Sequence, residues 1–275
     1  SKETGLIIDC VVSASTNGIE TAVDLCKQLG GDSILIVARL DQKKLFWDNW
    51  KETQSAIKAA APHAEKQQIK LLIENVWASF LVSPLDMLRY VDEIAHPWVG
   101  VHYDVGNIMR WGVAEHWVEV LGKRSMKLDV KEYDLDKAMT EGMRKGFDKP
   151  LGEGSINWPA VRAELAKIDF TGWAAAEVKA GDWDYLADGA KRMDRVLDPV
   201  QRSSGARFGV FRLPCPRASG GQSAGSGAIR AEVCRISSRC CRGRVLQHHR
   251  AGAQGSWIVG IGGWRQHRRV GTAIG

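Results

Sequence analysis

Short apolar runs alternate with helix-length amphipathic stretches through residues 1–198 of this 275-residue chain. Apolar runs bounded by turn residues indicate strands, and apolar residues spaced three or four apart indicate helices. The predicted strands cover residues 5–12, 32–38, 69–76, 99–105, 125–131 and 173–178. The predicted helices cover residues 17–29, 47–68, 84–94, 114–121, 158–168 and 185–196. Six βα units in this order predict parallel strands joined by right-handed crossovers.

The polar positions inside these strands share one phase. Side chains of a strand point alternately to its two faces, so His102 and Asp104 share a face, and Lys127 and Asp129 lie opposite Leu128. A flat sheet covered by helices on both sides would need apolar residues in both phases. We therefore expect an α/β barrel whose apolar face meets the helices. A complete barrel takes about 250 residues, so residues 1–198 predict an incomplete TIM (β/α)8-type barrel of about six βα units.

Four carboxylates stand at or near the C-terminal ends of consecutive predicted strands: Glu74, Asp104, Asp129 and Glu177. In TIM barrels these strand ends meet at one face, where the active sites lie. Burying an acid there is costly unless a partner or a ligand compensates for it. The pattern predicts one acidic site at the mouth of the barrel, although Asp104, which precedes Val-Gly-Asn, could also be a turn former.

The charge of the chain differs between its two parts. Residues 1–198 hold 17 Lys and 8 Arg against 31 acids, a net charge of −6. Residues 199–275 hold 13 Arg, no Lys and a single acid, Glu232, a net charge of +12. The basic total therefore does not indicate that the body binds nucleic acid. No signal-peptide pattern and no apolar run of about 20 residues is present, so we expect no membrane partner and favour the cytoplasm, with export of the parent protein left open.

Residues 199–275 show no sustained apolar period. Such a stretch cannot bury enough apolar surface to offset its ordering entropy. We therefore predict two regions, a partial barrel at residues 1–198 and a disordered Arg/Gly-rich tail at residues 199–275. Arg, Gly, Ala, Ser and Cys without Lys or Asn are typical of a GC-rich gene read out of frame. A frameshift product and a genuine arginine-rich tail are the two explanations.

Five motifs follow one another along the body. They are Ile73-Glu74-Asn75, Tyr103-Asp104-Val105-Gly106-Asn107, Lys131-Glu132-Tyr133, Gly152-Glu153-Gly154-Ser155-Ile156-Asn157-Trp158 and Ala176-Glu177-Val178. In order and spacing they resemble the xylose isomerase-like TIM barrel family, which includes sugar phosphate isomerases and epimerases and endonuclease IV-type enzymes. The resemblance implies that the predicted strands are strands three to eight of the barrel. We therefore expect an N-terminally truncated chain that lacks strands one and two.

The resemblance also implies a divalent metal held by Glu74, Asp104, Asp129 and Glu177. In such enzymes the metal stabilises an enediolate, while two glutamates, here Glu74 and Glu177, move a proton between adjacent carbons of a sugar. The family usually has His at the position of Asp129. An all-oxygen ligand set favours Mn²⁺ or Mg²⁺, with Co²⁺ and Zn²⁺ as alternatives.

Further residues near the strand ends are expected to complete the site. The substrate-binding candidates are Asn107, Lys131, Trp77, Trp111 and Glu153. His102 and Lys127 lie one layer deeper as second-shell candidates, and Lys127 and Lys131 would balance the charge of the four acids. Other readings stay open. Glu153 could be an ordinary loop residue, Lys131 and Glu132 a surface pair, and the tryptophans part of the core or the pocket wall.

Three functional hypotheses follow. The first is a metal-dependent isomerase or epimerase acting on a ketose, a sugar phosphate or a related carbohydrate, with a homo-oligomer left open. The second is an inactive fragment, since a barrel without two strands would have open edges at residues 5–12 and 173–178. The third is an endonuclease IV-type metallo-phosphodiesterase. That site is rich in His and needs a basic face, whereas residues 1–198 are acidic and hold four His, so this hypothesis is disfavoured.

Overall fold

The computed structural model describes residues 7–77 and 80–197, and the backbone of two short segments at residues 210–213 and 257–259. Within the first two ranges, six parallel strands lie side by side in chain order and curl into a half-barrel with helices outside. The strands are β1 (Cys10–Ser13), β2 (Ser33–Ile36), β3 (Lys70–Glu74), β4 (Val99–Asp104), β5 (Ser125–Val130) and β6 (Trp173–Glu177). The helices are α1 (Ile19–Leu29), α2 (Phe46–Gln67), α3 (Pro84–Ile94), α4 (Ala114–Leu121), α5 (Leu135–Glu141), α6 (Trp158–Lys167) and α7 (Trp183–Leu197). Three 3₁₀ helices cover Asn107–Arg110, Gly122–Arg124 and Met143–Asp148.

The predicted incomplete α/β barrel is confirmed, since each of the six predicted strands and six predicted helices has an observed counterpart. The differences lie at the ends and in the loops. The strands are shorter than predicted, and α7 begins two residues earlier. Helix α5 was not predicted, because seven residues are too few to show a helical period. It is started by Asp134, whose carboxylate accepts a hydrogen bond from the backbone N–H of Lys137 at 2.7 Å.

Two helices begin at the capping residues that the sequence indicates. Ser83 Oγ accepts a hydrogen bond from the backbone N–H of Asp86 at 3.1 Å, and Pro84 opens α3. The Asn157 side chain accepts a hydrogen bond from the backbone N–H of Ala160 at 3.3 Å at the start of α6. These caps set where the helices start and therefore how they pack on the sheet.

Apolar side chains form two clusters, one on each side of the sheet. The larger cluster lies between the strands and the helices, and its strand members include Leu71, Ile73, Val101, Tyr103, Leu128, Val130 and Ala176. The smaller cluster lies on the opposite phase, inside the half-barrel, and contains Cys10, Leu35 and Val37 with Val12 and Val76. On β4 and β5 the inward positions are polar instead, and they are His102, Asp104, Lys127 and Asp129. The predicted strand phase is thus confirmed.

Lys127 links β5 to the far side of the half-barrel. Its Nζ lies 2.9 Å from the carbonyl oxygen of Asp9, 3.1 Å from Asp9 Oδ2 and 2.7 Å from Asp32 Oδ1. Asp9 and Asp32 directly precede β1 and β2, so this ion cluster lies at the N-terminal ends of the strands. The Lys127 side chain is only 3% exposed. It therefore crosses the interior and helps to hold the sheet curled.

The two short C-terminal segments extend the sheet. Strand β7 (Val210–Leu213) pairs in parallel with β6, and β8 (Trp257–Val259) pairs antiparallel with β7. The strand at residues 173–178, which was expected at an open edge, thus has a neighbour on that side. The remainder of the predicted tail lies outside the described residues, so its low order and its frameshift origin stay predictions. In the described part of the chain, no helix combines the length and the apolar character needed to cross a membrane.

Candidate active site

Four carboxylates converge at the C-terminal ends of the strands. Glu74, Asp104, Asp129 and Glu177 each place one oxygen so that all four oxygens lie within 4.8 Å of one another. The first three are buried and Glu177 is partly buried. The strand register explains the convergence, because Asp104 pairs directly with Asp129, while Glu74 and Glu177 end the strands on either side. The acids that the sequence predicted to form one site are thus found together.

Asp104 serves both the turn and the site. Its Oδ1 accepts hydrogen bonds from the backbone N–H groups of Gly106 and Asn107, each at 2.9 Å. Its Oδ2 faces Lys131 Nζ at 3.0 Å. One oxygen therefore fixes the chain reversal after β4, while the other is held toward the acidic cluster. The two readings of Asp104 left open by the sequence both apply.

Asn75 joins the ends of β3 and β4. Its Nδ2 donates to the carbonyl oxygen of Asp104 and its Oδ1 accepts from the Asp104 N–H, both at 2.8 Å. Asn107 Nδ2 in turn donates to the carbonyl oxygen of Asn75 at 3.1 Å. Asn75 belongs to the motif Ile73-Glu74-Asn75, but the sequence indicated no role for it. Its signal was a polar amide placed directly after the Glu74 strand end.

Lys131 brings a positive charge into the acidic cluster. Its Nζ lies 2.8 Å from Glu177 Oε2, 3.0 Å from Asp104 Oδ2 and 3.2 Å from Asn107 Oδ1, and its side chain is 15% exposed. Burial works to lower the pKa of Lys131, but Asp104 and Glu177 outweigh it and hold that pKa above its usual range. The alternative of an exposed surface pair with Glu132 is therefore wrong.

The charge of Lys131 does not offset the effects of burial and of the three neighbouring acids on Asp104. Burial raises the pKa of Asp104 well above its usual range, and Glu177, Asp129 and Glu74 raise it further against the opposing effect of Lys131. A group of carboxylates that repel one another in a buried place is a fit for a divalent cation. The donor set is all oxygen, which suits the hard cations Mg²⁺ and Mn²⁺.

His102 supports Asp129 from one layer deeper. Its Nε2 lies 3.0 Å from Asp129 Oδ1, and its ring is buried. Burial works to lower the pKa of His102, but the charge of Asp129 and the hydrogen bond to it raise that pKa to about 10. The contact orients the Asp129 carboxylate, and the second-shell role of His102 stays a prediction.

An aromatic wall borders the cluster at the mouth of the barrel. We use this name for Trp77, Trp111, Tyr133 and Phe147. The Trp77 ring lies 5.7 Å from Trp111, 6.0 Å from Tyr133 and 5.1 Å from Phe147 between centroids. Lys131 Nζ lies 5.0 Å from the centre of the Phe147 ring. Trp77 and Trp111 thus belong to the aromatic wall together with Tyr133 and Phe147, for which the sequence indicated no role. Substrate binding by Trp77 and Trp111 stays a prediction.

Two other candidates lie away from the acids. Glu153 is half exposed and pairs with Arg192 of α7, which matches its reading as a loop residue. Lys127 pairs with Asp9 and Asp32 at the opposite end of the strands, so its predicted role in balancing the four acids is not supported. Long-range pairing of this kind leaves no local pattern in the sequence.

The buried acid of this loop region is Glu132. Its Oε2 accepts hydrogen bonds from the Gly152 N–H at 2.7 Å and from Trp158 Nε1 at 2.9 Å. A side chain at Gly154 would lie 2.5 Å from Glu132 Oε1, so the glycine allows the loop to approach this carboxylate. The Gly-Glu-Gly motif is therefore a packing element anchored by Glu132.

Comparisons with known proteins agree with this fold. SgbU of Escherichia coli (strain K12), named by inference as an L-ribulose-5-phosphate 3-epimerase, is 26% identical over 114 residues. The match covers 41% of this chain and 39% of SgbU, so the chain spans about two fifths of that curated relative.

Two solved structures show the likeness of the fold. The apo form of 3-keto-D-glucoside 4-epimerase YcjR from E. coli has a TM-score of 0.57 at 13% identity, over 71% of this chain and 80% of YcjR. A xylose isomerase-like TIM barrel protein from Mycobacterium smegmatis, in complex with magnesium, has a TM-score of 0.55 at 18% identity. That match covers 70% of this chain and 74% of the other.

The family comparison extends over most of the chain. The model of the family described as "xylose isomerase-like TIM barrel" matches residues 9–198 of this chain. This range includes the whole half-barrel and all four clustered acids. This range agrees with the six parallel strands and with the acidic site at their C-terminal ends. The chain therefore belongs to the xylose isomerase-like TIM barrel family.

Proposed function

We propose that this chain carries the site of a divalent-metal-dependent sugar isomerase or epimerase, which moves a proton between adjacent carbons of a ketose or a sugar phosphate. The observation that carries the proposal is the set of four carboxylate oxygens within 4.8 Å of one another at the C-terminal ends of the strands. Relatives named as sugar epimerases and a structural neighbour in complex with magnesium support it. Among the described residues, the cluster consists of carboxylates and contains no His, whereas an endonuclease IV-type site is rich in His, so we prefer the isomerase or epimerase.

Glu74, Asp104, Asp129 and Glu177 would hold the cation. When bound, a divalent cation would supply Lewis-acid polarisation of neighbouring sugar oxygens. Asp104 would act only as a ligand, because its other oxygen is engaged by the backbone turn. Asp129 would be kept in position by His102.

Glu74 and Glu177 are the candidates for proton transfer. They end β3 and β6, whereas Asp104 and Asp129 end the two strands between them. The two glutamates therefore approach the cluster from opposite sides. Moving a proton from one carbon to its neighbour, or inverting one carbon, needs a base and an acid that reach the substrate from different directions.

Three other groups would bind or orient the sugar. Lys131 would offset the negative charge that remains in the cluster and would donate to a sugar oxygen. Asn107, held by Asn75 and Lys131, would present its amide at the same level. Trp77 and Trp111 would border the apolar face of the sugar at the mouth. Indole rings supply such an apolar face, and the Trp77 N–H fixes its ring by donating to the carbonyl oxygen of Asn107 at 2.7 Å.

Hydrogen–deuterium exchange tests the proposal without knowledge of the product. The full chain would be incubated with Mn²⁺ in D₂O with ribulose, ribulose 5-phosphate, tagatose or a 3-keto-glucoside. Proton NMR would follow deuterium entry at the carbon next to the carbonyl group. We expect exchange with at least one sugar, lost in Glu74→Gln and in Glu177→Gln. Glu153→Gln is the matched control, because Glu153 lies away from the cluster and pairs with Arg192. This variant should exchange the sugar proton as the wild type does.

Metal binding without proton exchange would refute the enzymatic role. If the folded chain binds Mn²⁺ but exchanges no proton of any of these sugars, the proton-transfer role fails. The chain would then be an inactive member of the family. Exchange that persists in both glutamine variants would show that other residues carry the proton.

A further inference from the structure

We propose that Arg110 is an anion-binding residue, which takes a phosphate or a carboxylate at the far end of the sugar. This inference rests on the proposed function and specifies its substrate class as an anionic sugar. Arg110 ends the 3₁₀ helix that starts at Asn107, directly after the turn that carries Asp104. It lies on the same face of the barrel as the acidic cluster.

The guanidinium of Arg110 is held by two indole rings. Its central carbon lies 5.0 Å from the centre of the Trp77 ring and 4.9 Å from that of Trp111. The two rings lie at 72° to each other, so they form two sides of a corner around the guanidinium. Arginine stacked in this way keeps the N–H groups at its edge available. It is therefore oriented before any ligand arrives, which lowers the entropy cost of binding.

Arg110 has no carboxylate partner among the described residues. Within that part of the chain, Arg89, Arg124 and Arg192 each form an ion pair with an acid, and Arg39 and Arg162 donate to backbone carbonyl oxygens. The contacts recorded for the Arg110 guanidinium are with the Trp77 and Trp111 rings. Indole rings remove water from the faces of a guanidinium but do not neutralise its charge. A planar oxyanion acceptor that takes two parallel N–H···O bonds would satisfy the exposed edge.

A continuous line of contacts connects the acidic cluster with Arg110 along the aromatic wall. Three contacts of about 5 Å each connect the two places: Lys131 Nζ to Phe147, Phe147 to Trp77, and Trp77 to Arg110. A pentulose or hexulose with a terminal phosphate spans on the order of 8–10 Å when extended. The three contacts place the Arg110 guanidinium within about 15 Å of Lys131 Nζ. We propose that a sugar whose reacting carbons lie at the acids directs its far end along the aromatic wall toward Arg110.

A second group of basic side chains, Arg144, Lys145 and Lys179, is the alternative site for an anion. An open pocket of about 530 Å³ is lined by Arg144, Lys145 and Lys179 together with Asp148 and others. Lys145 and Lys179 both already pair with Asp148. An anion bound there would have to compete with that carboxylate. We therefore assign the anion to Arg110 and use Arg144 as the matched control.

Calorimetric titration of the full chain in the presence of Mn²⁺ tests the assignment. The ligands are ribulose, ribulose 5-phosphate and 5-ketogluconate, so that phosphate and carboxylate are compared with a neutral sugar. We expect at least one anionic sugar to bind about tenfold or more tightly than ribulose. Arg110→Gln should remove this preference, Arg110→Lys should retain part of it, and Arg144→Gln should retain all of it.

Inorganic phosphate, titrated without metal, tests the same residue without the sugar site. We expect weak binding to the wild-type chain and to Arg144→Gln, and its loss in Arg110→Gln. Far-ultraviolet circular dichroism would verify that each variant is folded. An anionic preference that survives Arg110→Gln, or that disappears in Arg144→Gln, would overturn the proposal. Absence of both phosphate binding and any anionic preference would overturn it too, whereas Mn²⁺ binding and exchange with neutral sugars would leave the proposed function intact.

Discussion

Removal of the Lys131 charge is expected to destabilise the metal-free protein and to increase its stabilisation by Mn²⁺. In the absence of a metal, the Lys131 ammonium is the positive charge that faces Asp104 and Glu177 at 3.0 and 2.8 Å. Lys131→Met keeps most of the length of the side chain and removes its charge. Four carboxylates would then repel one another in a largely buried place.

The size of the effect follows from the burial of the groups. Breaking a buried ion pair by removing one partner costs roughly 3–5 kcal/mol. Asp104 is fully buried, but the side chains of Lys131 and Glu177 are 15% and 19% exposed, so the lower end applies. A loss of about 3 kcal/mol corresponds to a fall in the melting temperature on the order of 10 °C for a domain of this size. Binding of a cation at 100 times its Kd would restore about 2.7 kcal/mol.

Differential scanning fluorimetry with and without Mn²⁺ measures both quantities. Lys179→Met is the matched control, because Lys179 forms an exposed pair with Asp148 and such pairs contribute about 1 kcal/mol or less. We expect Lys131→Met to melt well below the wild type without metal and to gain more from Mn²⁺. A metal-free melting temperature equal to that of the wild type, or an identical Mn²⁺ shift, would refute the reasoning.

Three substitutions and one labelling experiment test the packing of the half-barrel. Glu132→Ala should cost about 2–4 kcal/mol in unfolding by denaturant, because a buried loop N–H and an indole N–H lose their acceptor; an unchanged midpoint would contradict this. Gly106→Ala should lower stability by about 1–3 kcal/mol, since its new methyl carbon would lie 2.8 Å from the Lys131 carbonyl oxygen. Gly112→Ala, with its nearest contact at 3.5 Å, should be nearly neutral in the same assay. Burial raises the pKa of the Cys26 thiol to about 12, so iodoacetamide at pH 8 should label it only after unfolding, as mass spectrometry would show. The folded state favours the neutral Cys26 thiol, whereas the thiol of the unfolded chain ionises above about pH 9. The contribution of Cys26 to the free energy of unfolding is therefore constant below about pH 9 and is lost as the pH rises toward 12.

The strand phase and the acidic site could be predicted because both follow from local patterns. Alternation of polar and apolar residues has a period of two along a strand, so Asp129 and Leu128 were assigned to opposite faces correctly. Acids at the ends of consecutive parallel strands must meet at one edge of the sheet. The closeness of Glu74 and Glu177 to the two central acids therefore follows without knowledge of any loop.

Contacts between loops and between distant segments could not be predicted in this way. Lys127 and Asp9 are 118 residues apart in the sequence, and nothing near either residue indicates the pair. Arg110 stacks on two indoles because two loops after neighbouring strands approach each other. Glu153 was chosen from a motif, although its neighbour in the fold is Arg192 of α7. Loop conformation has no period from which such contacts can be inferred.

Binding of Mn²⁺ to the full chain, measured by calorimetry, tests the central claim that the four carboxylates form a metal site. We expect saturable binding at one site, weakened about tenfold or more by Glu177→Gln and by Asp129→Asn. Glu153→Gln, the matched control, should bind as the wild type does. Absence of binding by a folded chain, or binding that neither Glu177→Gln nor Asp129→Asn weakens, would contradict the account.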